Sequence, residues 1–423
     1  MSVTTTPLLE DLRWRGLTAQ VAAEDRLAEL LAAGCATVYC GFDPTGDSLH
    51  IGHLVPLLCL ARFQRHGHRP IALAGGGTGL IGDPSGRSEE RVLNSEETVA
   101  GYVQAIRAQL ERLMDFEAGA IVENNVEWLR DLTAIELLRD VGKHFPMGWM
   151  LGKESVRARL EGDGLSYTEF SYMVLQAYDF LHLERSHGCL AQIGGSDQYG
   201  NITAGMELIR RVDGLAAAGQ TVPLITDASG QKFGKSSGRA VWLDPERTSP
   251  YAFYQYWLNI EDADACRYLR LFTFLERSQI EEIEAEQAAT PERRPAQRRL
   301  AQEMTVMVHG DQEWRRAVEV SEALFGKGRL GDLEPERLEV ALEAAPTVRL
   351  GAGIERSYAA LMVETGLAKS TSEAARLAAG GGVYANDDRL EDVTAAPDDS
   401  AFLGGRVLVL RRGRRAHGLI VRS

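Results

Sequence analysis

Two short segments of this chain carry residues suited to handling phosphate. The first is His50-Ile51-Gly52-His53, which sets two imidazoles three residues apart. At that spacing on a helix both rings share one face. A strand and a loop precede them, so they fall at a helix start. There the unpaired N–H groups and the positive end of the macrodipole favour an anion. Gly52 leaves room for a flat ligand to press on the backbone. The second segment is Lys232-Phe233-Gly234-Lys235-Ser236-Ser237, some 180 residues further on. Glycine and serine around two lysines make a loop with two point charges, good partners for a phosphate on which charge is building.

A third constellation lies in residues 168–183, which read as one largely apolar helix. Tyr172, Gln176 and Asp179 fall at i, i+4 and i+7 and share a face. Unsatisfied buried polar groups cost roughly 1–3 kcal/mol each, so such a stripe needs partners. It reads as one wall of a small-molecule site. The run Gly77-Thr78-Gly79-Leu80-Ile81-Gly82 matches a dinucleotide-binding fingerprint, but Asp83-Pro84-Ser85-Gly86 prolongs the loop where a helix should open. A nicotinamide cofactor is therefore set aside.

The elements that must hold these residues can be read from periodicity. Residues 8–34 read as helix, stopped by Gly34. Residues 37–42 read as a buried strand, and Asp43-Pro44-Thr45-Gly46 as a loop. Ser48 is expected to cap a helix running towards His66. Residues 71–74 form a second strand ending in a glycine-rich loop. Strand, helix and strand in about 40 residues is a βαβ unit, hence a parallel sheet with a right-handed crossover. Helical patterns fill 95–160. Further strands are expected at 191–193 and 222–225, and charged helices from 248 to 326. Residues 327–350 look like a linker. Short helices follow, then strands around Val383-Tyr384 and 406–410.

The 423 residues suggest about two or three domains. No apolar run approaches the roughly 18 residues of a membrane span, and the start lacks the pattern of a secretory signal. Five cysteines (Cys35, Cys40, Cys59, Cys189, Cys266) without a Cys-x-x-Cys support neither a disulfide framework nor a zinc site, and fit a reducing cytoplasm. The net charge of −14 argues against non-specific nucleic-acid binding. Yet no acid follows Asp399, while Arg406, Arg411, Arg412, Arg414, Arg415 and Arg422 crowd the end. A basic end on an acidic body points to a nucleic-acid contact or a solubilising tail.

Taken together, these motifs resemble those of class I aminoacyl-tRNA synthetases. Residues 50–53 match the HIGH tetrapeptide, and Lys232–Ser236 match the KMSKS-type loop in the variant KFGKS. The runs 39–45, 78–86, 170–180 and 194–198 are similar to bacterial tyrosyl-tRNA synthetases, and the resemblance extends from about residue 8 to the C-terminus. It implies an α/β fold. A Rossmann-like parallel-sheet catalytic domain spans 1–247 and an α-helical anticodon-binding domain 248–330. A linker over 331–350 leads to a small α+β S-four-like RNA-binding domain over 351–423. In the last, Gly366-Leu367-Ala368-Lys369-Ser370, the helix through Arg376 and Gly382-Val383-Tyr384-Ala385-Asn386 carry the likeness. Thr371, Ser372 and Ala375 stand where basic residues are usual, and Asp387 where glycine is usual.

The same resemblance implies an enzyme that activates L-tyrosine with ATP, releases pyrophosphate and transfers tyrosine to the terminal adenosine of tRNA(Tyr). It makes Thr45, His50, His53, Lys232 and Lys235 catalytic. Tyr39 and Asp179 would hold the substrate phenol oxygen, Tyr172, Gln176 and Asp83 its ammonium, and Gln198 its carboxylate. Gly41, Asp43, His50, His53, Gly195, Asp197, Lys235 and Ser236 would meet ATP or the adenylate. Arg87 and Arg91 would face pyrophosphate or the tRNA acceptor end, and the cluster Arg293, Arg294, Arg298 and Arg299 belongs to the helical domain. With basic positions missing from the S-four-like helix, Arg411, Arg412, Arg414 and Arg415 are left to bind RNA. Mg²⁺ would arrive with ATP; no metal site and no tightly bound cofactor are expected. A homodimer through the catalytic domain and a cytoplasmic location complete the implied picture. The alternatives are a nucleotidylyltransferase, a synthetase for another amino acid such as tryptophan, and a non-enzymatic RNA-binding protein on the same scaffold. The Tyr39/Asp179 pair and the intact motifs speak against them.

Overall fold

A computed structural model of the chain describes residues 6–85, 94–161, 164–226, 235–236, 239–325, 328–343, 345–351, 356–413 and 416–422; at 154, 155, 158, 235, 236 and 239 only the backbone is described. The apolar stretch around Val38-Tyr39-Cys40 forms β2 (Thr37–Phe42), the middle of a six-stranded sheet. Its other strands are β1 (Gln20–Ala22), β3 (Arg69–Ala74), β4 (Ile121–Asn124), β5 (Ala191–Gly195) and β6 (Ala218–Val222). The order is β1-β6-β5-β2-β3-β4. Strands β2 to β6 are parallel, and β1 closes the edge antiparallel to β6. The chain runs outward from β2 through β3 and β4, then returns to β5 on the other side of β2. That reversal opens a crevice at the carboxyl ends of β2 and β5, where open α/β sheets bind ligands.

Three expectations change here. Residues 8–34 are not one helix but α1 (Pro7–Arg15), β1 and α2 (Glu24–Ala32). Gly16, in the left-handed region at φ 78°, ends α1 and turns its N–H onto the last carbonyls. The helical stretch 95–160 is interrupted by β4. The strand expected at 222–225 lies at Ala218–Val222 instead, because Pro223 has no N–H to continue the ladder.

Helix α3 (Ile51–Arg65) follows β2, and α4 (Glu96–Leu113) follows β3. Short helices α5 (Val126–Leu129), α6 (Ala134–Glu136), α7 (Met147–Leu151) and α8 (Glu154–Leu160) lead to α9 (Tyr167–His187). Ser166 caps α9 by accepting the Glu169 N–H, and Gly188 at φ 62° terminates it. Helix α10 (Tyr199–Val212) lies against α9. A Cβ at Gly205 would sit 2.8 Å from Phe180, so glycine permits that close approach. Tyr39, Ile71, Leu73, Phe180 and Leu208 share one core. A short hairpin, β7 (Lys235–Ser236) with β8 (Arg239–Ala240), follows β6. Then come α11 (Pro250–Leu258), α12 (Asp262–Phe272), α13 (Arg277–Ala289), α14 (Pro295–His309) and α15 (Asp311–Phe325).

The chain divides into two compact units, Met1–Arg247 with Asn259–Leu300, and Thr248–Leu258 with Ala301–Ser423. The stretch 248–330, expected as one helical domain, is thus shared between them. In the first unit, two buried arginines grip the end of α12. Arg15 donates to the carbonyls of Arg270, Thr273 and Leu275, and Arg62 to that of Thr273.

In the second unit, the stretch 331–350 is structured. Helix α16 (Pro335–Ala341) is followed by β9 (Thr347–Leu350), which pairs with the last strand. Its acids and turn residues suggest a linker, but Leu338, Leu342 and Leu350 are buried. Helices α17 (Tyr358–Glu364) and α18 (Thr371–Ala379) precede β10 (Val383–Ala385), β11 (Asp388–Arg389), β12 (Val407–Arg412) and β13 (Ala416–Arg422). The sheet order is β11-β10-β12-β13-β9. Alternation along β12 and β13 feeds two cores. Val407, Val409, Leu419 and Val421 pack with Val320, Leu324, Leu330 and Leu338. Leu408, Leu410 and Ile420 pack with Leu361, Met362, Ala374 and Ala378. Asp387, where glycine is usual, accepts the N–H groups of Leu330 and Gly331 at 3.0 and 3.2 Å.

Candidate active site

The loop after β2 ends at His50, which is the N-cap of α3 in place of the expected Ser48. Ser48 instead turns its hydroxyl to the Leu49 carbonyl and to Gln109. His50 Nδ1 accepts the Gly52 N–H at 3.0 Å, and His53 Nδ1 accepts the His50 N–H at 3.1 Å. The two imidazoles thus form a reciprocal capping box, with ring centroids 4.0 Å apart. Because both Nδ1 atoms accept, the hydrogen of each neutral ring is assigned to Nε2. Gly52 has a role beyond leaving ligand space: a Cβ there would lie 2.7 Å from His50 Cε1.

The residues just after the lysine-bearing segment are tied to the histidine segment by main chain. Ile51 N–H donates to the Val241 carbonyl at 3.0 Å, and Leu243 N–H to the Leu49 carbonyl at 2.9 Å, with His50 and Trp242 bridged between them. Lys235 is the register partner of Ala240, the residue before Val241. The paired backbone of Lys235–Ser236 and Arg239–Ala240 therefore lies next to the strand that meets the cap of α3. Lys232 lies outside the described residues, as do Arg87, Arg91, Arg414 and Arg415, and of Lys235 and Ser236 only the backbone is described.

At the carboxyl end of β2, Asp43 accepts the Thr78 hydroxyl and the Tyr172 phenol, each at 2.8 Å. Gly75 makes room for this, since a Cβ there would lie 2.0 Å from Asp43 Oδ1. Gly41 is the one exposed residue of β2, and a Cβ on it would meet nothing within 4 Å. Thr45 is exposed in the same loop. A Cβ on Gly195 would lie 2.4 Å from Asp197. Asp83 accepts from Gln198 Nε2 at 2.6 Å and from the Ser85 N–H at 2.9 Å. Asn201 links Gln198 to Gln176 by donating to both side-chain oxygens. The structure thus joins Asp83, Gln176 and Gln198 in one network and Tyr172 with Asp43 in another.

On α9, Asp179 is almost fully buried. Its carboxylate accepts Trp128 Nε1 at 2.7 Å and Asn125 Nδ2 at 2.9 Å. Burial pushes this carboxyl up to about 7, against the two hydrogen bonds that favour its charge. Tyr39 is fully buried with its ring edge against Phe180 at 5.1 Å. Its hydroxyl finds no hydrogen-bond partner among the described residues. Burial first, and the Asp179 charge next, hold that phenol well above its ordinary pKa. A buried unpartnered hydroxyl beside a buried carboxylate is a ready receptor for one more hydroxyl.

Sequence reasoning missed Asn125, Trp128, Thr78 and Asn201. Asn125 also binds the N–H of Gly77 at 2.7 Å and the Thr78 hydroxyl at 2.9 Å, connecting the glycine-rich loop to Asp179. The missing signal was β4: once 121–124 is a parallel strand, an asparagine at its carboxyl end becomes a candidate.

In the second unit, Arg411 Nη1 points to the Leu324 carbonyl at 3.5 Å, with its guanidinium over Tyr384. Arg412 Nη1 donates to the Leu367 carbonyl at 2.9 Å. Arg406 pairs with Glu339, and Arg422 with Asp399. Much of the basic end is therefore engaged within its own domain.

A family model described as tRNA synthetases class I (W and Y) matches residues 33–326, and the tyrosine–tRNA ligase SYY-like C-terminal domain matches residues 337–420. The tyrosine–tRNA ligase of Thermobifida fusca is 51% identical over 430 residues, covering 98% of this chain and 99% of that one. That of Nocardia farcinica is 52% identical over 424 residues, with the same coverage. Among solved structures, a C-terminally truncated mitochondrial tyrosyl-tRNA synthetase from Aspergillus nidulans superposes with a TM-score of 0.69. It is 31% identical, over 76% of this chain and 95% of that one. With both family models and near-full-length relatives in agreement, the chain belongs to the tyrosine–tRNA ligases of the class I tRNA synthetase family.

Proposed function

We propose that this chain activates L-tyrosine with ATP and transfers it to tRNA(Tyr). The tyrosine carboxylate attacks the α-phosphorus of ATP, forming a C–O–P bond as pyrophosphate leaves with the bridging oxygen. A ribose hydroxyl of the terminal tRNA adenosine then attacks the adenylate carbonyl, releasing AMP. The first nucleophile is already ionised at neutral pH, so no general base is needed. What remains is alignment and stabilisation of charge on phosphate oxygens. The Nε2–H groups of His50 and His53, Thr45 and the lysines Lys232 and Lys235 are the donors assigned to that work. ATP enters with Mg²⁺ as part of the substrate, bound chiefly through phosphate oxygens and water.

One observation carries this reading: the main-chain pairing of Leu49–Ile51 with Val241–Leu243. It supports both phosphate-handling segments acting on one triphosphate at the carboxyl end of the sheet. Tyr39 and Asp179 are read as the phenol receptor. Asp83, Tyr172, Gln176 and Gln198 are read as the ammonium and carboxylate end. Gly41, Asp43, Gly195, Asp197 and Ser236 line the nucleotide. A receptor built around a hydroxyl strands its own polar groups when phenylalanine enters; tyrosyl-tRNA synthetase is itself the standard example, at about 10⁵.

RNA contact is assigned to Arg411, Arg412, Arg414 and Arg415 and to an anticodon-binding role for the 248–330 helices. A homodimer through the sheet-bearing unit is supported by the exposed Ile135, Leu138, Met147, Leu151, Leu160 and Tyr167, the last 74% exposed. No helix among the described residues is long and apolar enough to cross a membrane, and a cytoplasmic site of action is proposed. The test is exchange of labelled pyrophosphate into ATP. Exchange should depend on tyrosine and not on phenylalanine or tryptophan; exchange with tryptophan alone would overturn the assignment.

A further inference from the structure

Between the histidine cap and the lysine-bearing hairpin stands a side chain with no assigned part in either. Val241 and Leu243 are both 3% exposed and point into the core, so alternation turns Trp242 to the opposite side, towards His50. The two rings meet edge to face, centroids 6.0 Å apart and planes at 69°. The Arg247 guanidinium lies over the same indole at 4.2 Å and pairs with Asp47 at 2.8 Å. Gly46 lies under the ring: a Cβ there would touch Trp242 at 3.8 Å. One indole thus contacts the loop that carries Thr45, the cap of α3 and the strand from which the hairpin springs.

We propose that Trp242, held by Arg247 and Asp47, is a positioning residue that keeps the His50 imidazole and the paired backbone of Lys235 and Ala240 in register for ATP. The inference rests on the reading that both segments serve the triphosphate. It adds a residue that touches no reacting atom. The cap hydrogen bond and the His53 ring hold His50 from one direction. The indole adds an aromatic contact from another. The Arg247 cation, drawn to the indole face and anchored by Asp47, keeps the indole from swinging into solvent. Asp47 and Arg247 flank the two segments in sequence, so their ion pair closes the clamp across the bridge.

The test uses the full chain and three variants, Trp242→Ala, Trp242→Phe and Arg247→Gln. Pyrophosphate exchange, tyrosine dissociation constant and thermal midpoint are measured for each. Misplacement on the scale of an ångström predicts a loss of about ten- to a hundredfold in kcat/KM for ATP in Trp242→Ala. Tyrosine affinity should be unchanged. Trp242→Phe keeps an aromatic edge and should recover most of the loss. Arg247→Gln, at a surface position that should not endanger folding, should lose severalfold in the same ratio. Equal losses for ATP and tyrosine, or an Arg247→Gln protein with unaltered kcat/KM for ATP, would overturn the proposal. A wild-type protein without tyrosine-dependent exchange would sink the underlying functional reading, and this inference with it.

Discussion

Replacing Tyr39 by phenylalanine should move stability and substrate affinity in opposite directions. The ring is fully buried on β2, and phenylalanine preserves its edge contact with Phe180. What disappears is a hydroxyl that has no hydrogen-bond partner among the described residues. Leaving such a group buried costs about 1–3 kcal/mol, so Tyr39→Phe should hold or raise the free energy of unfolding by up to that amount. In the proposed phenol receptor, the same hydroxyl supplies one half of the site. A neutral hydrogen bond contributes about 0.5–1.5 kcal/mol, which predicts tyrosine binding about two- to twelvefold weaker. Selectivity over phenylalanine should fall by a similar factor, since Asp179 remains. Urea unfolding gives the first quantity, and calorimetric titration with exchange assays on both amino acids gives the second. A variant that is less stable yet binds tyrosine as the parent does would refute the reasoning, because it would make Tyr39 a packing residue whose hydroxyl is satisfied elsewhere.

Gly52→Ala puts a methyl 2.7 Å from His50 Cε1 and must displace that ring. Exchange should fall about tenfold or more. Stability, read from the thermal midpoint, should change little or fall by about 1 kcal/mol, because the helix-propensity gain is offset by loss of the His50 cap. The Asp179 carboxyl, raised from 3.8 to about 7, is held protonated in the fold at pH values where the unfolded chain ionises it. Its contribution therefore favours folding most at low pH, fades as pH rises from about 4 to 7, and is flat above that. Relative to Asp179→Asn, denaturant unfolding should show the parent losing stability across that window, on the order of 4 kcal/mol at most. Neutralising Arg414 and Arg415 should weaken tRNA binding and flatten its log–log salt slope by about one to two. Adenylate formation should survive. Arg411 and Arg412 are left out of that set because they brace Leu324, Tyr384 and Leu367.

Much of the architecture was legible because period and punctuation agree there. The short apolar runs and flanking turns around Thr37–Phe42, Arg69–Ala74 and Ala191–Gly195 announce buried strands, and α9 reads as one helix over 168–183, four residues short of its end. The failures have physical causes. Edge strand β1 is three residues long and lies between two helices, so the helical period hides it. Strand β4 is half-buried along its length and gives no sharp alternation. The 331–350 stretch is acidic at its surface, and its few leucines are the buried part. For the site, residue types and motif spacing named Asp179, His50 and His53, and the family resemblance added Tyr39. Spacing along one helix could not foresee that Tyr172 and Asp179 would find different partners, Asp43 for one and Asn125 with Trp128 for the other. Those partners arrive from other strands, and only tertiary contact reveals them. The reciprocal imidazole cap was equally hidden, because histidine is not among the favoured N-cap residues.

The double-sided use of β12 and β13 has a bearing on how the chain is made. Helices α15 and α16 leave the ribosome well before the strands that cover them, since Val407, Val409, Leu419 and Val421 lie in the last seventeen residues of the sequence. Until those strands emerge, the helices' leucine face has no lid and is a natural target for holdase chaperones. Premature termination anywhere between the two would leave a greasy stub rather than a smaller working protein, so a stalled or truncated product should be cleared by proteolysis instead of accumulating.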